Sequence, residues 1–367
     1  MKTIKYFMLA VTAFLGTANY AQNKLEVVST FPDARPGNVA VSPEGRVFIT
    51  MSALGESKFM VKEILPDGSA VPFPDEEWIV KPTGKSMKGI NATIGIHVSN
   101  DNTLWVLDMG DDKPESKKAP KLVGFNIKTK KMVKLFAFPE DVLQFNSFLQ
   151  DFIIDEKNQI AVIADMTYAG LLPPIKPAFI VVDLKTGYSR RVLESDASFM
   201  PINEPVVINN RPVSHLFPNG GVLQPSYPLN PISIDPQREW IYFGAMGGTK
   251  IYRIKSESLA NDKLSNIELS KQIEFYANKP KSDGFKVGNN GKIYVTDVEQ
   301  NAVGVATPQG YTILAQDDRL LSWPDGVSIS KDGYLYVVAN QLHNLAWLNN
   351  NIDTSKPPYY VVRIKVD

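Results

Sequence analysis

The sequence predicts an all-β fold, a six-bladed β-propeller whose ring is closed by an N-terminal strand that completes the last blade. Three observations carry this expectation. One hairpin motif occurs six times along the chain. Successive copies begin 57, 56, 80, 53 and 42 residues apart, which leaves room for about four strands per interval, the content of a propeller blade. The last copy is followed by too little chain for a whole blade, while a β-like segment ahead of the first copy has no partner of its own.

The six copies are GNVAVSPEGRVFIT from Gly37, IGIHVSNDNTLWVLD from Ile94, QDFIIDEKNQIAVIAD from Gln150, NPISIDPQREWIYFGA from Asn230, DGFKVGNNGKIYVTD from Asp283 and DGVSISKDGYLYVVAN from Asp325. Each has a short alternating strand, a turn rich in Gly, Asn, Asp or Pro, and a second strand of Ile, Val, Tyr and Trp. Gly, Asn and Asp tolerate the positive φ that tight hairpins require. Further β-like runs lie between copies at 121–127, 178–184, 250–255 and 302–307. Segment 256–271 is the best helical candidate and reads equally well as a blade-edge loop. After the sixth copy, YYVVRIKV at 359–366 supplies one more strand, and LEVVSTF at 25–31 is expected beside it. Such closure removes the exposed sheet edges of an open ring. Residues 22–367 are read as one propeller domain.

Residues 1–21 have the order of a secretory signal peptide: Lys2 and Lys5, an apolar run from Tyr6 to Leu15, then small and polar residues to Ala21. The expectation is an exported protein, in the periplasm or the extracellular medium. No later segment has 18 uninterrupted apolar residues, so no membrane span is expected. Lys+Arg and Asp+Glu balance at 39 each, which leaves no electrostatic footprint for nucleic acid. With no cysteine in the chain, thiol catalysis, thiolate metal sites and disulfides are excluded.

In a propeller, the innermost strand of each blade lines the axis, so residues at the strand starts crowd one mouth of the channel. The aligned starting position holds Gly37, Ile94, Gln150, Asn230, Asp283 and Asp325, and the next position adds Asn38 and Asp151. Carboxylate and amide oxygens converging on a small cavity suit a hard divalent cation, Ca²⁺ first, with Mg²⁺ or Mn²⁺ as alternatives. Asn230, Asp283 and Asp325 are the expected ligands. The competing reading is local, because Asp-Gly is a common turn dipeptide. His97 lies within the second inner strand. His215 falls, with Glu204 and Arg211, in the longest interval, which is expected to loop over the mouth. His343 follows the last inner hairpin. With Asn38 and Asp151, these three histidines are the candidate ligand-binding residues. G-x-S-x-G, H-E-x-x-H and P-loop patterns are absent from the sequence.

LWVLDMG (104–110), SDGF…NGKIYVTDVEQNAV (282–303) and DDRLLSWPDGVSI…GYLYVVANQL (317–342) resemble the major royal jelly protein/Yellow family, and GNVAVSPEGRVFIT (37–50) fits its first-blade pattern. The resemblance implies a secreted six-bladed propeller that binds a small molecule at the channel mouth, with isomerase activity toward dopachrome-related catechols. More distantly, the inner strands are similar to the regucalcin/gluconolactonase group of metal-dependent lactone hydrolases. That group holds its cation with a glutamate from blade one and an asparagine and an aspartate from later blades. Asn230 and Asp283 match the last two by copy and spacing, while the glutamate position falls on Gly37, with Asn38, Asp151 and Asp325 as substitutes. Two functions follow: a small-molecule-binding, dopachrome tautomerase-like propeller, or a divalent-metal-dependent hydrolase of a sugar lactone or ester with Asp283 as catalytic base.

Overall fold

A computed structural model of the chain describes residues 24–54, 57–75, 77–78, 86–110, 119–168 and 171–366. The predicted signal peptide, 1–21, lies outside the described residues. Six four-stranded antiparallel sheets form the six blades. Their innermost strands are Pro36–Val41, Thr93–Val98, Leu149–Asp155, Leu229–Ile234, Phe285–Val287 and Pro324–Ile329. Each touches the next around the axis, and the sixth touches the first. The ring closes as expected: Leu25–Phe31 pairs with Tyr359–Lys365 from Leu25↔Ile364 to Phe31↔Tyr359, making the outer strand of blade six. Segment 256–271 forms two short helices, Ser256–Ala260 and Asn266–Ser270, in the connection between the outer strands of blade four. A capping box between Ser265 and Glu268 starts the second.

The inner hairpins share one backbone device. A residue with positive φ closes each turn: Gly45 (85°), Asn102 (63°), Gln159 (55°), Arg238 (58°), Gly291 (75°) and Gly333 (76°). A tight turn followed by one left-handed residue matches the twist of the flanking strands. Where that residue is neither Gly nor Asn, an aspartate braces the turn. The Asp155 carboxylate accepts from the Lys157 and Asn158 amides (2.8 and 3.1 Å), and Asp235 accepts from those of Glu239 and Trp240 (2.7 and 3.2 Å).

At the opposite end of the inner strands the register slips. Blades one to four and six each show a bulge there, between Pro36 and Val39, Thr93 and Ile96, Leu149 and Asp151, Leu229 and Ile232, and Pro324 and Val327. In blade five, pairing begins only at Phe285. A bulge bends its strand and re-aims side chains, so the residues at the aligned position leave the regular ladder of the sheet there. Threonines on the second strands satisfy amides freed by this departure: Asn38 N donates to Thr50 Oγ1 (2.9 Å) and Gly284 N to Thr296 Oγ1 (3.0 Å). Crowding at the axis explains Gly284 and Gly326. Neither has positive φ; a Cβ on Gly284 would strike the Asp325 carbonyl, and one on Gly326 would overlap the Asn38 carboxamide.

Hydrophobic clusters fill the wedges between blades, such as Phe179, Phe199 and Phe243, whose rings meet edge-on at 4.7–5.3 Å between blades three and four. One cluster is different. Residues of the long interval before blade four, including Val206, Ile208, Val213 and Tyr227, pack with Trp323, Leu342 and Leu348 from blade six and the loop after it. Two small hairpins, 207–212 and 215–223, and a bridge from Ser214 to Asn349 hold this assembly together. It roofs the axis at the strand-start end.

Candidate functional site

The two ends of the axis are built differently. At the strand-start end the expected oxygen ring is present but enclosed. Asn230 is 2% exposed, and Asp283 and Asp325 are each 8% exposed. The Asn230 amide donates to Asp283 Oδ1 at 2.5 Å, and the Trp323 indole N–H donates to Asp283 Oδ2 at 2.7 Å. Asn340 donates to Asp325 Oδ2 at 2.7 Å and to the Pro36 carbonyl at 3.2 Å. Burial raises the pKa of Asp283 against the opposing pull of these hydrogen bonds. Burial and the charge of Asp283 hold Asp325 well above the ordinary carboxylate range. Two acids repelling each other under an apolar roof favour retention of a proton. The indole of Trp323 is part of the roof cluster, so the roof itself hydrogen-bonds the acids beneath it.

At the turn end, a cavity of about 270 Å³ runs up the axis from the inner hairpin turns. Its walls include Val39, Ile96, Phe152, Ile232, Phe285 and Val327, and its inner end is set by Asn38, Asp151 and Gly284. Asn38 turns its Oδ1 onto the Val39 amide (2.7 Å), and Asp151 Oδ1 accepts from the Phe152 amide (2.8 Å). Asp151 is nevertheless pushed up to about 7, chiefly by desolvation, with Lys286 opposing the shift and Asp283 adding to it. His97 and Lys286 occupy equivalent positions in inner strands two and five and line the same cavity. His97 Nε2 has no hydrogen-bond partner, and burial with the charges of Lys286 and Arg238 lowers its pKa well below the usual value. The inner strands' free edges are partly sealed by serines of neighbouring blades: Val41 N donates to Ser328 Oγ (3.1 Å) and Val287 N to Ser233 Oγ (3.2 Å).

The predicted site residues therefore separate into three places. Asn38, His97 and Asp151 line the cavity. Asn230, Asp283 and Asp325 lie beyond its inner end, under the roof. His215 and His343 belong to the roof: His215 Nδ1 bonds the Trp347 carbonyl (2.9 Å), and His343 stacks on Trp323 with ring centroids 6.0 Å apart. His343 is held down to about 4 by burial and the nearby charges of Arg211 and Arg35. The expected opening at the strand-start mouth is replaced by this roof, and the cavity opens at the other face. Lys286 is the cavity residue that the oxygen-ring argument missed. Its signal was a charged side chain between Phe285 and Val287 in an innermost strand.

A divalent cation would need oxygen donors turned to one point. In this fold both Asp283 oxygens already accept hydrogen bonds, Asn230 presents its amide nitrogen to Asp283, and the first-blade position is Gly37. Among the described residues no group of three or more His, Cys, Asp or Glu side chains is placed to hold a metal ion. As folded, Asn230 is bonded to Asp283 and Asp325 to Asn340, so Asp283 would have to exchange its hydrogen bonds to serve as a cation ligand.

The sequence profile of the major royal jelly protein family matches residues 92–367. The chain belongs to that family. The match runs from the second inner strand to the end of the chain. Comparison with curated protein sequences finds no match. Similar solved structures include a gluconolactonase from Xanthomonas campestris, with TM-score 0.56 and 9% identity over 94% of this chain and 90% of that one. A luciferin-regenerating enzyme gives TM-score 0.56 and 11% identity over 94% and 95%. The calcium-binding protein regucalcin from Agrobacterium tumefaciens gives 0.54 and 11% over 94% of each chain. At these identities the likeness is one of fold alone.

Proposed function

We propose that the protein is an exported propeller that binds a small organic molecule in its axial cavity and moves a proton on it, as a dopachrome tautomerase-like isomerase. The observation that carries the reading is Asp151, an aspartate at the inner end of the cavity whose pKa is raised to about 7. A carboxyl that titrates near neutrality can both take and return a proton, which is what a tautomerisation asks of its catalyst. The volume of about 270 Å³ suits a small, catechol-sized ring, and polar lining groups such as Asn38, Asn100, Ser328 and Ser330 suit its hydroxyls. In this reading Asp151 removes the proton, while His97 and Lys286 polarise the cavity. The family resemblance supports the substrate class.

The test is a panel of dopachrome-type and lactone substrates with and without EDTA, on the natural chain and Asp151→Asn. The expected result is EDTA-insensitive isomerisation that Asp151→Asn abolishes while ligand binding persists. A chain that turns over no catechol-derived substrate, or an Asp151→Asn variant with full activity, would overturn the reading.

A second reading, a divalent-metal-dependent hydrolase of a lactone or ester, has one observation in its favour. An amide and a carboxylate from neighbouring blades, Asn230 and Asp283, meet at the axis. It requires Asp283 to exchange its bonds with Trp323 and Asn230 for Ca²⁺ or another hard cation. EDTA-sensitive lactone hydrolysis would favour it over the first.

A further inference from the structure

Three lysines are buried, and each is tied down. Lys121 Nζ pairs with Asp108 at 2.5 Å. Lys279 Nζ donates to the carbonyls of Ala245, Gly248 and Pro280 (2.8, 2.7 and 3.2 Å). Lys281 Nζ donates to the Pro205 carbonyl (2.7 Å) and pairs with Glu299 at 3.1 Å. Each holds a loop at a blade end. Lys286, half-buried in an innermost strand, makes no side-chain hydrogen bond or ion pair among the described residues. It remains partly accessible, and the space it borders is the axial cavity.

We propose that Lys286 is an imine-forming residue: its amine condenses reversibly with the carbonyl carbon of a small aldehyde or ketone held in the axial cavity. The inference rests on the cavity being the ligand site. Its grounds are the free amine, the cavity and the neighbouring acid. An amine attacks a carbonyl only when unprotonated, and lysines reach that state by desolvation or beside another cation. Both conditions hold here. Burial lowers the proton affinity of Lys286, Arg238 adds to the effect, and only Asp151 opposes it. Arg238 is itself fixed at the cavity rim by Glu156 (2.5 Å), so its charge stays close.

The step balances with groups already present. The neutral amine adds to C=O, and one N–H proton passes to the oxygen, giving a carbinolamine. Asp151 in its acid form protonates that hydroxyl, which leaves as water, so the product is an iminium cation facing the Asp151 carboxylate. Water reverses the sequence and returns the proton to Asp151. No oxidant or reductant enters. An iminium acidifies the adjacent C–H, so the same carboxylate is then placed for the proton transfer proposed above.

The test uses the full mature chain, phenylacetaldehyde as probe, and sodium cyanoborohydride to fix any imine as a secondary amine, followed by peptide mass spectrometry. The expected result is a dominant adduct on the peptide carrying Lys286, lost in Lys286→Gln and Lys286→Arg variants whose thermal unfolding matches the natural chain. Labelling spread over surface lysines, or an adduct that survives both substitutions, would overturn the proposal. If both variants unfold early, competition decides: a non-carbonyl ring of the same shape, phenylethanol, protects Lys286 in the natural chain if the adduct forms in the cavity, and its failure to protect counts against it. Labelled Lys286 without isomerase turnover would remove the proton-transfer reading alone. Full turnover in Lys286→Gln with no adduct in the natural chain would remove the imine alone.

Discussion

Asp283 and Asp151 both stand near the axis with raised pKa values, yet one end of the channel uses its aspartate differently from the other. Asp283 accepts one hydrogen bond on each oxygen, from a neighbouring blade and from the roof. Asp151 has one oxygen engaged by its own strand and no further side-chain partner among the described residues, and it borders open space. The difference teaches that shifted titration alone does not identify a working group. A buried carboxyl whose oxygens are occupied organises the fold, and one with an unoccupied oxygen facing a cavity is available to a ligand.

The comparison can be broken from either side. The largest expected effect is structural. Asp283→Ala leaves the Trp323 indole and the Asn230 amide without their acceptor, and unsatisfied buried donors cost about 1–3 kcal/mol each, so a loss of about 2–6 kcal/mol is expected in urea unfolding. A loss below about 1 kcal/mol would mean that Asp283 does not organise the roof. Trp323→Phe removes one of those two bonds and part of a buried ring, so in the same assay it should cost about 1–3 kcal/mol for the bond, with a further cost for the cavity left in the roof.

Asp151 sharpens the other side through its pH dependence. Its folded pKa, about 7, exceeds the ordinary value of 3.8. The folded chain therefore binds more protons than the unfolded one between these values. Its contribution to stability is complete below about pH 4 and is lost as pH rises through about 7. Asp151→Asn cannot ionise, so the melting temperature of the variant relative to the natural chain should rise from pH 4 to pH 8. A flat difference would show that Asp151 titrates normally. The smallest effect belongs to neither end. The Arg363–Glu26 pair across the ring-closing strands, at 2.8 Å and partly exposed, should contribute less than about 1 kcal/mol when probed by Glu26→Gln.

Much of this architecture was legible because it repeats. Six copies of one hairpin announce six blades, and a lone strand at 25–31 announces closure. The Asp332-Gly333 turn was readable from its residues, and Gly333 has the expected positive φ. Asp325-Gly326 has the same letters and a different use, because Gly326 serves close packing at the axis against Asn38. Only its place at a strand start in the repeat separates it from a turn. The roof was legible as a long interval, but its seat was not. Val213, Trp323 and Leu348 come from distant segments, and no local pattern says that they meet. That contact reverses which mouth of the channel is open, so Asn230, Asp283 and Asp325 lie behind the cavity and Lys286 lies in it.

The most direct measurement places Asp151→Asn and Asp283→Asn side by side in one isomerase assay, each with its melting temperature. Asp151→Asn should lose about 10²–10⁴-fold in turnover, the usual worth of a general acid–base, and melt no lower than the natural chain at pH 7. Asp283→Asn should melt lower and keep its turnover at temperatures where it is folded. The reverse pattern, an active Asp151→Asn beside a folded but inactive Asp283→Asn, would contradict the assignment of the open end of the axis as the working site.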